Sequence, residues 1–593
     1  MFNHACCRPP PYLFDYYQLL RGKLLPVFNG GLGDRVNNYS PASSYNTATT
    51  TSNGGGSSTS AGAAVVEEPS MTSSLTPNLT SCHWSYSDHV GRPLFCCKAS
   101  PDPRLPVVDF QFPDHSDPIR VRRPVHRLSA DFIAKYEKAF AIMKSLPDDH
   151  PHNFWRQADQ HCLYCTGSYE QTGSDALLFV HRDWLFFPFH RAYIYFHERI
   201  IGKLIGDDTF ALPYWPWDVP EGMLFPDFYH RGAFNDSERD FSHLIPLHQT
   251  ADIAFDGVES GLGAADQVAA NLAMMYHQMV SGARKPELFM GCRMRPGRAG
   301  ACDGPGTIEL IPHNTMHEWV TNRANPDWED MGSYYTASRD PSFYAHHSNI
   351  DRLWSVWKEL HGGRLEFDDP AWLDAAFYFR DENLRLVRVR VRDVLDMSKL
   401  RYTYEEIDRP WLETRPKPAV EPKVARGILR EMEARNRVLR MPGGAPEAPS
   451  GGTSPDFGPG GRMLEEPLRV KVPRPKRVRS AADKAEEEEV LVVYGIEVKR
   501  DTFVKFDVLV NAVDEAAVAG PRSREYAGAF VNVNRGVAHG DPHKRKATLK
   551  LGITELLEDL EAEADDSIWV TLVPKGGTGV DVTVGGVRIE YLR

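Results

Sequence analysis

Two hydrophobic rhythms divide the chain. Over residues 76–363 apolar and aromatic positions recur every three or four residues. In "SADFIAKYEKAFAIMKSL", Ile133, Tyr136, Phe140 and Met143 share one helical face, and Ser129 stands where a cap belongs. Over residues 490–593 the rhythm shortens to β-rich runs such as "EVLVVYGIEV", "FVKFDVLVN" and "SIWVTLVP", separated by turn residues, with "ITELLEDL" helix-like between them. The pattern predicts a mainly α domain over 76–363 and a C-terminal β-sandwich over 490–593. An extension, 364–420, follows the first domain. The stretch 421–489 reads as a flexible linker containing "MPGGAPEAPSGGTSPDFGPGG" (441–461). Within it the runs "RPKRVR" (474–479) and "EEEE" (486–489) are expected to be solvated and protease-accessible. Residues 1–75 form a separate leader, rich in Ser, Thr and Gly, whose only acids before Glu67 are Asp15 and Asp34. That composition suits a plastid transit peptide, with a disordered tail as the alternative.

Composition changes this picture little. The 593 residues, 42% hydrophobic and 11% aromatic, can bury a large core. A net charge of −12, with no extended basic face, argues against nucleic acid as a partner. No stretch of about 18 apolar residues predicts a transmembrane helix. Among nine cysteines, Cys82, Cys96, Cys97 and Cys162 could form two bridges, which would imply an oxidising compartment. The pairing is left open by spacing alone.

The histidines carry the chemistry. "PHNTMHEW" sets His313 and His317 four apart, so both rings share one helical face. Asn314 stands where a zinc protease needs glutamate. "DPSFYAHHSNIDRLW" adds His346 and His347 with Asp351 one turn on; "HCLYC" and "HRDWLFFPFHRAY" supply His161, His181 and His190. His181 and His190, nine apart, would face opposite ways on one helix, so His181 must precede the helix that carries His190, with Pro188 in its first turn. The expected arrangement is a four-helix bundle holding two ions, each by three imidazoles and no carboxylate. Such a donor set with open positions suits copper, with zinc as runner-up. Asp351 is expected to hold a ligand ring from behind. The Cys162–Cys165 spacing also admits a redox dithiol, but no thioredoxin-like unit surrounds it.

At these motifs the chain resembles the plant polyphenol oxidases, type 3 copper proteins of the catechol oxidase and tyrosinase kind. "HCLYC", "HRDWLFFPFHRAY", "FALPYWPWD", "GTIELIPHNTMHEW", "EDMGSYYTASRDPSFYAHHSNIDRLW", "RPWL", "FVKFDV" and "LGITELLEDL" carry the likeness over residues 76–593, and "YTY" (402–404) resembles the motif that closes the catalytic domain. The resemblance implies a dicopper site with His161, His181 and His190 on one ion and His313, His317 and His347 on the other. It further implies a Cys165–His181 thioether and disulfides Cys82–Cys97 and Cys96–Cys162. Tyr334 matches the gate position over the second copper, and Glu309 and Asn314 match a pair that holds a water for deprotonating a phenol. Glu318 is expected to stand near the mouth and repel carboxylated phenols. Cys292 and Cys302 have no family counterpart, and a local bridge between them is one option. The implied activity is oxidation of catechols to o-quinones with O2, latent under the C-terminal domain, in the thylakoid lumen of a plastid or, alternatively, in the secretory or vacuolar route. The rival class is a haemocyanin-like O2 carrier, which uses the same six histidines. Small phenols and O2 are the expected partners; the oligomeric state is not legible.

Overall fold

The computed structural model describes residues 73–593 except 88–90, 245–247, 298–301, 303, 364–366, 440–454, 477, 499–502, 519, 534–536 and 539–545. All described residues belong to the unit Val66–Arg593. The leader expected at 1–75 therefore lies almost wholly outside them. A strand at Ser74–Pro77, paired with Tyr169–Thr172, straddles its expected end.

Helix α1 (Ala130–Ser145) starts where its cap predicts, with Ser129 Oγ accepting the Phe132 N–H at 3.2 Å. Helix α2 (Phe154–Cys165) begins the same way on Asn153. Helix α3 (Phe186–Ile205) is buried on nearly every face, its aromatic and aliphatic residues interrupted by buried His190, Arg191, His197 and Glu198. It packs against α1 and against α6 (Ser342–Leu360); α4 (Ala264–Tyr276) and the short α5 (Thr315–Val320) come between in the chain. Among the described residues no helix is long and apolar enough to cross a membrane.

Buried charges tie these helices together. Glu198 on α3 accepts from Arg120 Nε at 2.7 Å and Arg122 Nε at 2.8 Å, both on strand β1 (Arg120–Arg122). That strand pairs in parallel with β2 (Tyr402–Tyr404), which is the "YTY" motif. Asp218, in "WPWD", accepts two bonds from Arg352 Nη2 at 2.6 Å and one from Asn349 Nδ2 at 2.9 Å, both residues of α6. Each carboxylate is paired and hydrogen-bonded, the condition under which a charge can be buried.

The C-terminal region is two sheets. One is ordered β3 (Leu468–Pro473), β8 (Ser567–Lys575), β5 (Val504–Val510), β6 (Tyr526–Asn532), all antiparallel. In the other, β4 (Glu488–Val498) lies between β7 (Ala547–Gly552) and β9 (Gly586–Leu592). Here the structure departs from the sequence reading. Strand β3 and the pair formed by Arg462–Met463 place β structure well before 490, and helix α7 (Pro422–Leu439) occupies the front of the expected linker. The charge runs are only partly solvated: Lys476 and Glu486 are exposed. Arg474 and Arg479 are buried, Glu488 and Glu489 are 1% exposed, and Arg474 forks onto Glu489 while Lys476 pairs with Glu487. A helical turn at Ala481–Glu486 folds one run back beside the other, so opposite charges neutralise each other.

Three disulfides link Cys82 to Cys97, Cys96 to Cys162 and Cys292 to Cys302. The first closes a loop within the N-terminal segment, and the second ties that segment to α2.

Candidate metal centre

Four helical segments and one loop deliver the histidines. His161 sits on α2 and His190 one turn into α3. His181 lies before α3, in irregular backbone, with Pro188 in that helix's first turn. His313 belongs to a kinked segment, Glu309–Asn314, broken at Ile311 and Pro312, which runs directly into α5 and His317. His346 and His347 follow the first turn of α6. One nitrogen from each of His161, His181 and His190 lies within 4.8 Å of the others, and the same holds for His313, His317, His346 and His347. The clusters adjoin: the His190 and His347 rings stack at 4.3 Å.

The proton inventory of these rings is informative. His161 Nδ1–H donates to the Tyr334 carbonyl at 2.8 Å, and His190 Nδ1–H to the Phe186 carbonyl at 2.7 Å. His317 Nδ1–H donates to the Met331 carbonyl at 2.8 Å, and His313 Nδ1–H to Asn314 Oδ1 at 2.9 Å. Oxygen acceptors of this kind hold the single proton of a neutral ring on Nδ1 and leave a lone pair on Nε2. Yet His161 Nε2 and His190 Nε2 are 3.2 Å apart, and so are His317 Nε2 and His313 Nε2. Two lone pairs at that distance repel unless a cation lies between or beside them. Protonation is a poor remedy, since burial holds His190 down to about 3 and His317 to about 4, and pushes His161, His313 and His347 lower as well. Neither nitrogen of buried His347 has a hydrogen-bond partner among the described residues. Neutral imidazoles with inward lone pairs fit a metal of copper's preferences.

Other expected site residues sit differently. Among the described residues Asp351 holds no imidazole: its oxygens accept from Arg191, Arg122, Tyr402 and Tyr404, and against the effect of burial the two arginines and the two hydroxyl bonds keep its carboxyl below the usual range. Its position one turn from His347 suggested a ring partner, but it faces the "YTY" strand instead. Glu318 is buried rather than at a mouth, with Arg323 no nearer than 4.0 Å. Burial lifts it to about 8, so at neutral pH it is largely protonated and supplies little of the expected repulsion.

Tyr334 stacks on His181 at 4.2 Å and donates its hydroxyl to Asn314 Oδ1 at 2.5 Å. Glu309 Oε1 accepts the Arg182 N–H at 2.6 Å. Cys165, the free cysteine among the described residues, is buried with Sγ 3.2 Å from the Tyr334 carbonyl. Strand β6 of the sandwich lies over this side of the centre. Asn532 Oδ1 accepts from Arg182 Nη1 at 2.5 Å, and Asn314 Nδ2 reaches the Val531 carbonyl at 3.5 Å. Sequence reasoning missed Arg182, Trp217 and Asp218; the "WPWD" stretch signalled the latter pair, but no pattern says what an indole or a carboxylate will face.

Comparison with known proteins agrees along the chain. Residues 151–360 match the common central domain of tyrosinase, 366–417 the polyphenol oxidase middle domain, and 461–591 the chloroplastic polyphenol oxidase C-terminal domain. A chloroplastic polyphenol oxidase of Vitis vinifera is 43% identical over 523 residues, covering 87% of this chain and 82% of its own. Aureusidin synthase of Antirrhinum majus is 42% identical, covering 87% and 88%. Among solved structures, latent apple tyrosinase superposes with TM-score 0.72 at 41% identity, over 82% of this chain and 100% of that one. Latent aurone synthase gives 0.73 at 34%, over 88% and 99%. With the central, middle and C-terminal domains all matched and relatives 42–43% identical over most of the chain, the chain belongs to the plant polyphenol oxidases, enzymes of the type 3 copper family.

Proposed function

We propose that His161, His181 and His190 hold one copper ion and His313, His317 and His347 a second, and that the enzyme oxidises o-diphenols to o-quinones. Two diphenols give up four electrons and four protons to one O2, which leaves as two waters. The observation that carries this reading is the pair of 3.2 Å Nε2–Nε2 contacts between rings whose protons are spent on carbonyl-type oxygens. A copper pair, when bound, supplies the O2 binding and the redox chemistry. The chain supplies geometry, dryness and proton handling.

Tyr334 stacks on His181 of the first cluster rather than over the second, its ring centre lying 6.1 Å from that of His313 and 6.2 Å from that of His317, and its bond to Asn314 tethers it between the two. Asn314 Oδ1 already accepts from His313 and Tyr334, which fills its two lone pairs. Base duty towards a phenol O–H, in any hydroxylation of monophenols, falls to Glu309. A thioether between Cys165 and His181 would anchor the one ligand that no helix orients; peptide mapping that finds the two residues on separate, unlinked peptides would refute it.

Latency follows the same arrangement. Strand β6 bonds to Arg182 and Asn314, so the sandwich blocks approach from that side. Relatives are described as latent forms, including those of Prunus armeniaca and apple. Cleavage between 420 and 489 should raise activity; equal rates before and after cutting would refute the shield. Relatives named as chloroplastic support a plastid location. The deciding experiment is copper analysis with a quinone-formation assay on a simple catechol. Two ions per chain and rapid quinone formation are expected. Reversible O2 binding without quinone would identify a carrier instead.

A further inference from the structure

Four histidines surround the second metal position, yet three suffice, and two of the four are neighbours in sequence. We infer that Trp217 decides between them: its indole N–H locks His346 into the tautomer that cannot bind metal. The inference rests on the copper reading above.

The argument is one of donors and acceptors. Trp217 Nε1–H donates to His346 Nδ1 at 3.0 Å, with both side chains fully buried. An indole nitrogen only donates, so His346 Nδ1 must offer a lone pair, and the single proton of the neutral ring goes to Nε2. Nε2 has no hydrogen-bond partner among the described residues, yet as N–H it has nothing to give an ion. His313 and His317 are the reverse case, because their Nδ1 atoms face oxygens. His346 is close enough to compete, its ring centre lying 5.0 Å from that of His317 and 5.5 Å from that of His313. For His346 to ligate through either nitrogen, it must break the bond to Trp217 and strand a buried indole N–H. Full burial confines the indole, and the next residue, Asp218, is clamped to Asn349 and Arg352 on the helix that carries both histidines, which fixes the backbone beneath it. Trp217 is thus a positioning residue. It leaves His346 with its proton on Nε2 and His347 as the ligand.

Two measurements test this. In the wild-type chain labelled with nitrogen-15 histidine, the ring whose signals vanish in H346F should show the Nε2–H tautomer; an Nδ1–H tautomer there overturns the inference. Next, copper-loaded Trp217→Phe, which keeps an aromatic ring but removes the donor, should free a fourth imidazole. Release of one ion to a chelator should slow at least fivefold, and the W217F/H346F double variant should return to the wild-type rate. Wild-type release from W217F, or loss of one ion in H346F alone, overturns the inference. A wild-type chain that binds no copper would sink the metal reading instead, and the tautomer readout would still stand.

Discussion

The two histidine clusters reach similar ends by different routes. The first takes one histidine from each of α2, α3 and a loop, so no ring is surplus and each depends on a separate piece of chain. The second takes His313 and His317 from one kinked helical stretch and must choose between two adjacent rings on α6. The first cluster's difficulty is orientation. His181 has no helix beneath it, and its neighbour Arg182 is held by Glu309 and by Asn532 of the sandwich. The second cluster's difficulty is excess, resolved by a hydrogen bond from Trp217. One site is therefore sensitive to its surroundings and the other to its tautomers.

The sharpest way to break that comparison is ligand removal. His161→Ala and His347→Ala should each lower copper content by one ion per chain and abolish quinone formation. His346→Ala should keep both ions, as a surplus ring must. Copper counts that fall equally in all three would erase the distinction.

Next in size is the frame behind both clusters. Asp351→Ala leaves Arg122 and Arg191 buried without their shared carboxylate, a loss of about 3–5 kcal/mol. The unfolding midpoint should fall steeply, and a fall no greater than that of an exposed pair such as Arg104–Asp102 would contradict the frame.

Acidity comes third. Burial holds His190 near 3 and His317 near 4, whereas an unfolded imidazole titrates near about 6.5. The unfolded chain therefore takes up protons first as pH falls. The metal-free protein should be most stable above about pH 6.5 and lose that increment progressively towards pH 4. Urea midpoints of the apo-protein at pH 7 and pH 5 check the sign; a higher midpoint at pH 5 contradicts it. Copper retention should fall over the same window, because only neutral rings can ligate.

The smallest effect belongs to the gate. Tyr334→Phe keeps the stack on His181 but frees Asn314 Oδ1, costing about 1 kcal/mol. The expected result is a change in KM for bulky catechols of up to about tenfold, with copper content unchanged; loss of copper would show that Tyr334 supports the first cluster rather than the entrance.

Much was legible without coordinates because it depends on local geometry. Spacing of four places His313 and His317 together, spacing of nine forces His181 off the helix of His190, and Ser129 caps α1. The switch from helical to alternating pattern marks the two domains, though not where the second begins. What escaped depends on what a side chain faces across the fold. Asp351 serves strand β2 rather than a histidine, Glu318 is buried and largely protonated, and the runs of Arg and Glu at 474–489 neutralise each other. The sequence alone determined which residue types could hold two copper ions and roughly where along the chain they lie. Only the tertiary structure decided which lone pairs point inward, because a ring's tautomer is set by the hydrogen-bonding group opposite it, and that group comes from a distant part of the chain.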